Sequence, residues 1–291
     1  MIEEMRDQFP LCELCQAFQI SRSGYYKWLQ AAQGERATEN EKIVSEIRAI
    51  RTDRKLRSYG SPRMVDELKD RGVVCSKNRV ARLMRVNKIK ARHKRPFRPR
   101  TTIGRRSAQA SPNILRQTQV TAPEQVLVGD ITYVATREGW LYLAVVMDLY
   151  TRMIVGWSIG ESLETDLVLK ALKNSTRVLK NSRTVLFHSD RGCQYSSRRF
   201  RAQLASLGIT QSMSARGYCY DNAACESFFS TLKTEGFPFQ GVFNSRQEAR
   251  LEIFDYLETF YNTRRKHSSL ANRSPKQFLE NHFQTHQPDL N

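Results

Sequence analysis

No apolar run in the 291 residues approaches the roughly 20 needed to span a bilayer. The opening MIEEMRDQFP lacks the basic start and apolar stretch of a secretory leader. The expectation is a cytoplasmic chain with no membrane partner. A GxxxxGK[ST] loop is also missing, which argues against P-loop use of ATP. Six cysteines are present, but Cys12-x-x-Cys15 has no second pair at zinc-ribbon spacing, and His282-x-x-x-His286 lies in a polar stretch. Scattered thiols in a reducing compartment are expected, rather than disulfides or structural zinc. Acid is the remaining shortage: 29 Asp and Glu face 47 Lys and Arg, a formal net charge of +18.

That excess is uneven. Residues 1–115 hold 26 of the basic and 12 of the acidic residues, a net +14, which leaves +4 for the rest. A polyanion, and nucleic acid in particular, is the partner such a distribution fits; a membrane surface would also require amphipathic apolar faces. The length allows two or three domains and at least one sizeable core.

Residues 10–30 read as two short helices about a turn, with Ser21 or Ser23 as a cap for the second. A longer helix is expected from the capping box Thr38-x-x-Glu41 through Ile43, Ile47 and Ile50. Ser61-Pro62 opens another that Gly72 ends. Ser76 caps a basic helix with Val80, Leu83 and Met84 inward and Lys77, Arg79, Arg82 and Arg85 outward. Helix, turn and basic helix is a pattern that enters a DNA major groove; a solvated face on a small bundle is the alternative. Residues 88–106 carry nine Lys and Arg, no acid and two prolines, and read as an extended linker tracking phosphates. Arg95 and Arg98 belong to it. From Val126 the pattern alternates. Strands are expected at 126–134, 140–148, 152–159, 184–189 and 209–213. Helices are expected at 164–180, 196–207, 222–235, 245–261 and 275–281. Together they make an α/β domain with a mixed sheet.

Three carboxylates stand among apolar neighbours. Asp130 interrupts VLVGDITYV, Asp190 ends TVLFHSD, and Glu226 shares a helix with Cys225, Phe228, Phe229 and Leu232. A buried unpaired carboxylate costs several kcal/mol, so each needs a partner: an arginine, or a shared divalent metal. Asp148, near a strand end and Arg152, reads as a turn residue or local ion pair. On the helix expected at 222–235, Asp221 is the N-cap, and Asn222, Glu226, Ser230 and Lys233 form one polar row. Lys233 suits a DNA phosphate or base edge, or else a solvated helix end. An all-oxygen ligand set favours Mg²⁺ or Mn²⁺, and two such ions suit in-line displacement at phosphorus. His188, Ser189 and Asp190 are consecutive on a strand, so they form no catalytic triad.

With these motifs the chain resembles the DDE transposases and retroviral-type integrases, most closely the second-reading-frame product of insertion sequences of the IS-three type. The resemblance rests on DITYV with WLYLAVVMDLYTRMIVGWS, on HSDRGCQYSS, on GITQSMSARGYCYDNAACESFFSTLKTE and on YNTRRKHSSLANRSPKQF. Thirty-five residues separate Asp190 from Glu226, and Lys233 follows by seven. Cys193 and Ala215 depart from the commoner serine and basic residue. The resemblance implies an α/β, ribonuclease-H-like catalytic core preceded by a small all-α helix-turn-helix region. The expected organisation is an N-terminal helical segment 1–35, helix-turn-helix 36–87, basic linker 88–120, core 121–240 and helical extension 241–291. It further implies Asp130, Asp190 and Glu226 as catalytic metal ligands for Mg²⁺ or Mn²⁺, and strand cleavage and transfer at insertion-sequence ends. Lys233, Asn222, Arg191, Arg79, Arg82, Lys77, Arg95 and Arg98 are the expected DNA contacts. Partners would be double-stranded DNA, further copies of the chain, and an upstream-frame protein as fusion or partner. A DNA-binding regulator and a plain nuclease on the same fold are the competing readings.

Overall fold

The computed structural model describes residues 2–92, 111–177, 185–214 and 222–285. The chain divides into two compact units, Met1–Ala91 and Arg92–Asn291. Among the described residues no helix is long and apolar enough to cross a membrane.

The first unit is all helical: α1 (Ile2–Met5), α2 (Leu11–Ala17), α3 (Arg22–Gln33), α4 (Glu35–Ile50), α5 (Ser61–Asp70) and α6 (Lys77–Val86). Ser21 Oγ accepts from Gly24 N–H at the start of α3, as a capping serine does. The long helix α4 begins earlier than the Thr38 capping box suggested, with Gly34 as N-cap. Residues 35–37 are Glu, Arg and Ala, good helix formers that extend it N-terminally. The N-cap of α5 is likewise Gly60, with Ser61 already helical and proline in the first turn. Gly72, at φ +79°, turns the chain after α5 in the left-handed region that glycine tolerates. Ser76 Oγ accepts from Arg79 N–H and starts α6. Ile47, Ile50, Met64, Leu68 and Val80 are fully enclosed where α4, α5 and α6 pack on one another.

The second unit is built on a mixed sheet. Its strands are β1 (Val126–Thr136), β2 (Gly139–Asp148), β3 (Ile154–Gly160), β4 (Leu186–Ser189), β5 (Thr210–Met213) and β6 (Val242–Phe243). Their order is β3-β2-β1-β4-β5, with β6 pairing the far end of β1. β1, β2 and β3 are antiparallel, while β4 joins β1 in parallel and β5 joins β4 in parallel. β3 begins later than expected because Arg152, at φ +61°, belongs to the turn. Asp148 holds that turn, accepting from Tyr150 N–H and Thr151 Oγ; it is a turn residue, with no ion pair to Arg152.

Helices α7 (Thr165–Thr176) and α8 (Arg198–Ser206) cover one sheet face, where Leu127, Val146, Leu172, Phe187, Phe200 and Leu204 form a core. A side chain at Gly156 would meet Ala171 O at 2.4 Å, so β3 and α7 approach at backbone distance. The helices α9 (Ala223–Glu235) and α10 (Arg246–Asp255) pack against β1. The helix expected at 245–261 is not uniform: α10 passes into a π-helical turn over Tyr256–Tyr261. α11 (Pro275–Thr285) follows. The short strand β6 and the isolated π turn carry too few residues to leave a periodic signal in sequence.

Candidate active site

β1 and β4 deliver two carboxylates side by side. Gly129 pairs with Ser189 at the last rung of that parallel ladder, so Asp130 and Asp190 are the next residue on each strand. A side chain at Gly129 would strike Phe187 Cζ at 2.5 Å, which places that residue against the α7/α8 core. Alternation then turns Asp130 to the α9 side. Asp130 is half-buried, and its Oδ1 accepts from Ile131 N–H at 2.7 Å. Burial first, then the like charge of Asp190, pushes its carboxyl up to about 8; Glu226 adds to the rise, while the Ile131 N–H and the Lys233 cation oppose it. Burial also raises Asp190, against the N–H of Gly192, which donates to Asp190 Oδ1 at 2.9 Å.

The third carboxylate comes from α9. Cys225 is buried with its thiol 3.8 Å from the Val128 carbonyl, and Phe228, Phe229 and Leu232 are buried beyond it. Glu226, one step round the helix, is exposed, and Lys233, two turns on, is half-buried. The setting of Glu226 is therefore not the costly one its apolar neighbours suggested. Those neighbours face inward and the glutamate outward. Among the described residues no group of three or more His, Cys, Asp or Glu side chains is closed around a metal position. Asp130, in the middle of β1, and Asp190, just past β4, lie beside one another, and the charges of Asp190 and Glu226 reach Asp130 without such a cluster forming.

His188 lies buried between Ser212 Oγ at 2.9 Å and Ser214 Oγ at 3.0 Å, and Ser189 Oγ donates to the Asp190 carbonyl. His188 thus braces β4 against β5, while Ser189 is tied to the chain just past β4. Arg191 is exposed, with its Nε donating to Ser214 O at 2.8 Å. Asn222, expected to head an outward row, is instead the buried N-cap of α9, and its Oδ1 is enclosed without a hydrogen-bond partner. Its cap dihedrals are not helical, so helix phase does not carry it outward. Asp221 and Ala215 lie outside the described residues, as do Arg95 and Arg98. On α6, Lys77 and Arg82 are exposed, but Arg79 turns back onto α4, bonding Asn40 Oδ1 at 3.0 Å and Glu39 Oε2 at 2.9 Å.

One cluster escaped the sequence reading. Glu235, at the end of α9, takes a two-point buried ion pair from Arg265, Nε at 2.8 Å and Nη2 at 3.1 Å, and a third bond from Tyr256 Oη at 2.8 Å. The Asn262 amide donates to and accepts from the Ile154 backbone, and Tyr261 Oη donates to Arg152 O. YNTRRKH belongs to a stretch that carries the family resemblance, yet in sequence a glutamate at a helix end and an arginine 30 residues later look like any solvated pair.

An integrase core domain matches residues 120–219 and a second integrase core domain matches 207–275; an HTH-like domain matches 38–97. A 31 kDa protein of insertion element IS600 from Shigella sonnei is 42% identical over 93% of this chain and 99% of its own length. The transposase InsF of insertion sequence IS3A from Escherichia coli K12 is 38% identical over 95% of this chain and 96% of its own. Among solved structures, the catalytic core domain of HTLV-2 integrase in complex with magnesium is 13% identical, covering 54% of this chain and 96% of that one at a TM-score of 0.39. With full-length relatives at this identity, the chain belongs to the insertion-sequence transposases that carry an HTH-like domain and an integrase core.

Proposed function

We propose that Asp130, Asp190 and Glu226 are the catalytic carboxylates of this DDE transposase and hold Mg²⁺ or Mn²⁺ beside the middle of β1, just past the end of β4. The observation that carries this reading is the crowding of Asp130 on β1 and Asp190 just past β4, where burial and the charge of Asp190 keep a proton on Asp130 to about pH 8. Such a pair disfavours double ionisation unless a cation is shared. The donor set fits a hard divalent ion: carboxylate oxygens only, two from strands and one from an exposed helix position. When bound, such ions lower the cost of the negative charge that builds on the attacking and leaving oxygens.

The chain's residues supply placement. In cleavage, water attacks phosphorus and gives up a proton to solvent, the bond to the 3′-oxygen breaks, and that oxygen takes a proton from solvent; the products are a 3′-hydroxyl and a 5′-phosphate. In transfer, that 3′-oxygen forms a bond to a target phosphorus and a target 3′-oxygen leaves. No protein nucleophile is required, consistent with His188 being held between Ser212 and Ser214 and the Ser189 hydroxyl donating to the Asp190 carbonyl. Lys233 and Arg191 lie where a phosphate backbone would cross the site. Lys77 and Arg82 on α6 are the contacts to the element end, and Arg95 and Arg98 those of the basic stretch. The acting form is an oligomer of this chain bridging two ends, alone or with an upstream-frame protein.

The test is strand cleavage and joining on a duplex bearing the element end in Mg²⁺. Asp130→Asn, Asp190→Asn and Glu226→Gln should each lower the rate by about a thousandfold or more. Retained activity in any one removes that residue from the assignment, and cleavage without a joined product would favour a plain nuclease.

A further inference from the structure

Building on the role proposed for Glu226, we infer that Glu235, Arg265 and Tyr256 are positioning residues that set the rotation and axial position of α9, and so the place of Glu226 relative to Asp130. Glu235 lies nine residues after Glu226, about half a turn round the helix at roughly 100° per residue. The buried anchor thus grips the back of the helix whose front presents Glu226 and, seven residues on, Lys233. At the other end of α9 the N-cap, Asn222, makes no side-chain capping bond.

The anchor is tied to the sheet that carries Asp130. Asn262 bonds both backbone groups of Ile154 at the start of β3, and Tyr261 bonds Arg152 O just before it. Tyr261 also meets Phe228 of α9 edge-on, with ring centroids 4.8 Å apart. The π turn makes this double grip geometrically possible. In an α-helix, residues five apart diverge by about 140°, whereas an i→i+5 turn brings them to one side. Tyr256 and Tyr261 accordingly stand with centroids 6.1 Å apart, one holding Glu235 and the other Phe228. Asn262, bonded to the sheet, and Arg265, bonded to Glu235 of α9, are three residues apart in the chain. A two-point guanidinium–carboxylate bond fixes orientation as well as distance, which a lysine cannot reproduce.

The full-length protein tests this with Arg265→Lys and Tyr256→Phe, alongside Val168→Ala in the α7 core as a destabilised control and Glu226→Gln. Melting temperature, cleavage kcat and KM for the end duplex, and Mn²⁺ half-saturation by electron paramagnetic resonance are read on each. At a temperature where all are folded, Arg265→Lys should lose about tenfold in kcat and bind Mn²⁺ more weakly, with KM for DNA within about twofold. Tyr256→Phe should lose about threefold in kcat, while Val168→Ala keeps wild-type kcat and Mn²⁺ half-saturation. Wild-type kcat and Mn²⁺ binding in both anchor variants overturns the inference, as does a kcat loss that tracks melting temperature across all three. Should Arg265→Lys fail to fold, Tyr256→Phe decides by the same criteria. An active Glu226→Gln removes the reading on which the inference rests; an inactive one beside unaffected anchor variants removes only the anchor's role.

Discussion

Asp130 and Asp190 occupy neighbouring positions one step past the final rung of the β1–β4 ladder, and burial together with the charge of Asp190 holds the proton on Asp130. Burial raises the Asp190 carboxyl as well, so neither acid sits in a setting that favours its charged form. A pair arranged like this gains from any cation placed between its members, and destabilises the fold in the absence of one.

The stability consequence has a definite sign. The unfolded chain releases the Asp130 proton near its ordinary value of 3.8, while the folded chain keeps it to about 8. Between those values the native state binds more protons, so this group's contribution to stability falls as pH rises. Asp130→Asn should therefore be more stable than wild type near pH 8 in chelator, by on the order of 1 kcal/mol or a few degrees in Tm, and nearly equal to it near pH 4. Melts at the two pH values check this; a variant less stable near pH 8 contradicts it.

Metal binding should release protons. Calorimetric titration of Mn²⁺ near pH 7, repeated in buffers of different ionisation enthalpy, should show release approaching about one proton per chain. The release should vanish in Asp130→Asn. Binding without proton release in wild type would place the ion elsewhere.

Truncation of the buried anchor should cost more than loss of its phenol. Glu235→Ala leaves the Arg265 charge enclosed and should destabilise by about 3–5 kcal/mol. Tyr256→Phe removes one hydrogen bond and should cost about 1–2 kcal/mol. Denaturant unfolding gives both values, and equal small losses would mean that water reaches the pair.

The basic face of α6 separates into two roles. Lys77→Ala and Arg82→Ala should weaken binding to the end duplex and flatten its salt dependence by about one unit of slope each if they contact phosphate. Arg79→Ala should chiefly lower Tm, because its guanidinium ties α6 to Glu39 and Asn40 of α4. Unchanged binding across salt for Lys77→Ala and Arg82→Ala removes α6 from the DNA interface.

Much of this site was legible in sequence because strand alternation and apolar runs report directly on burial. VLVGDITYV gave β1, its inward faces and the misplaced acid; the glycine beside Asp130 proved to be a close approach to Phe187. The spacing of the polar row puts Glu226 on the outward face of its helix, whereas the costly setting expected from its apolar neighbours is absent, since a helix with an apolar back says little about how deep its front lies. Asn222 was misread because helix phase does not extend to a cap. Glu235 and Arg265 were missed for a different reason: a buried pair and a solvated pair have the same residue types, and only tertiary contact distinguishes them.

The most direct test of the metal assignment is Mn²⁺ binding measured by electron paramagnetic resonance on the wild-type protein with a bound end duplex, and on Asp130→Asn, Asp190→Asn and Glu226→Gln. The expected result is high-affinity Mn²⁺ in wild type, with affinity lowered about tenfold or more by each single substitution. High-affinity Mn²⁺ unchanged in all three variants would contradict the assignment.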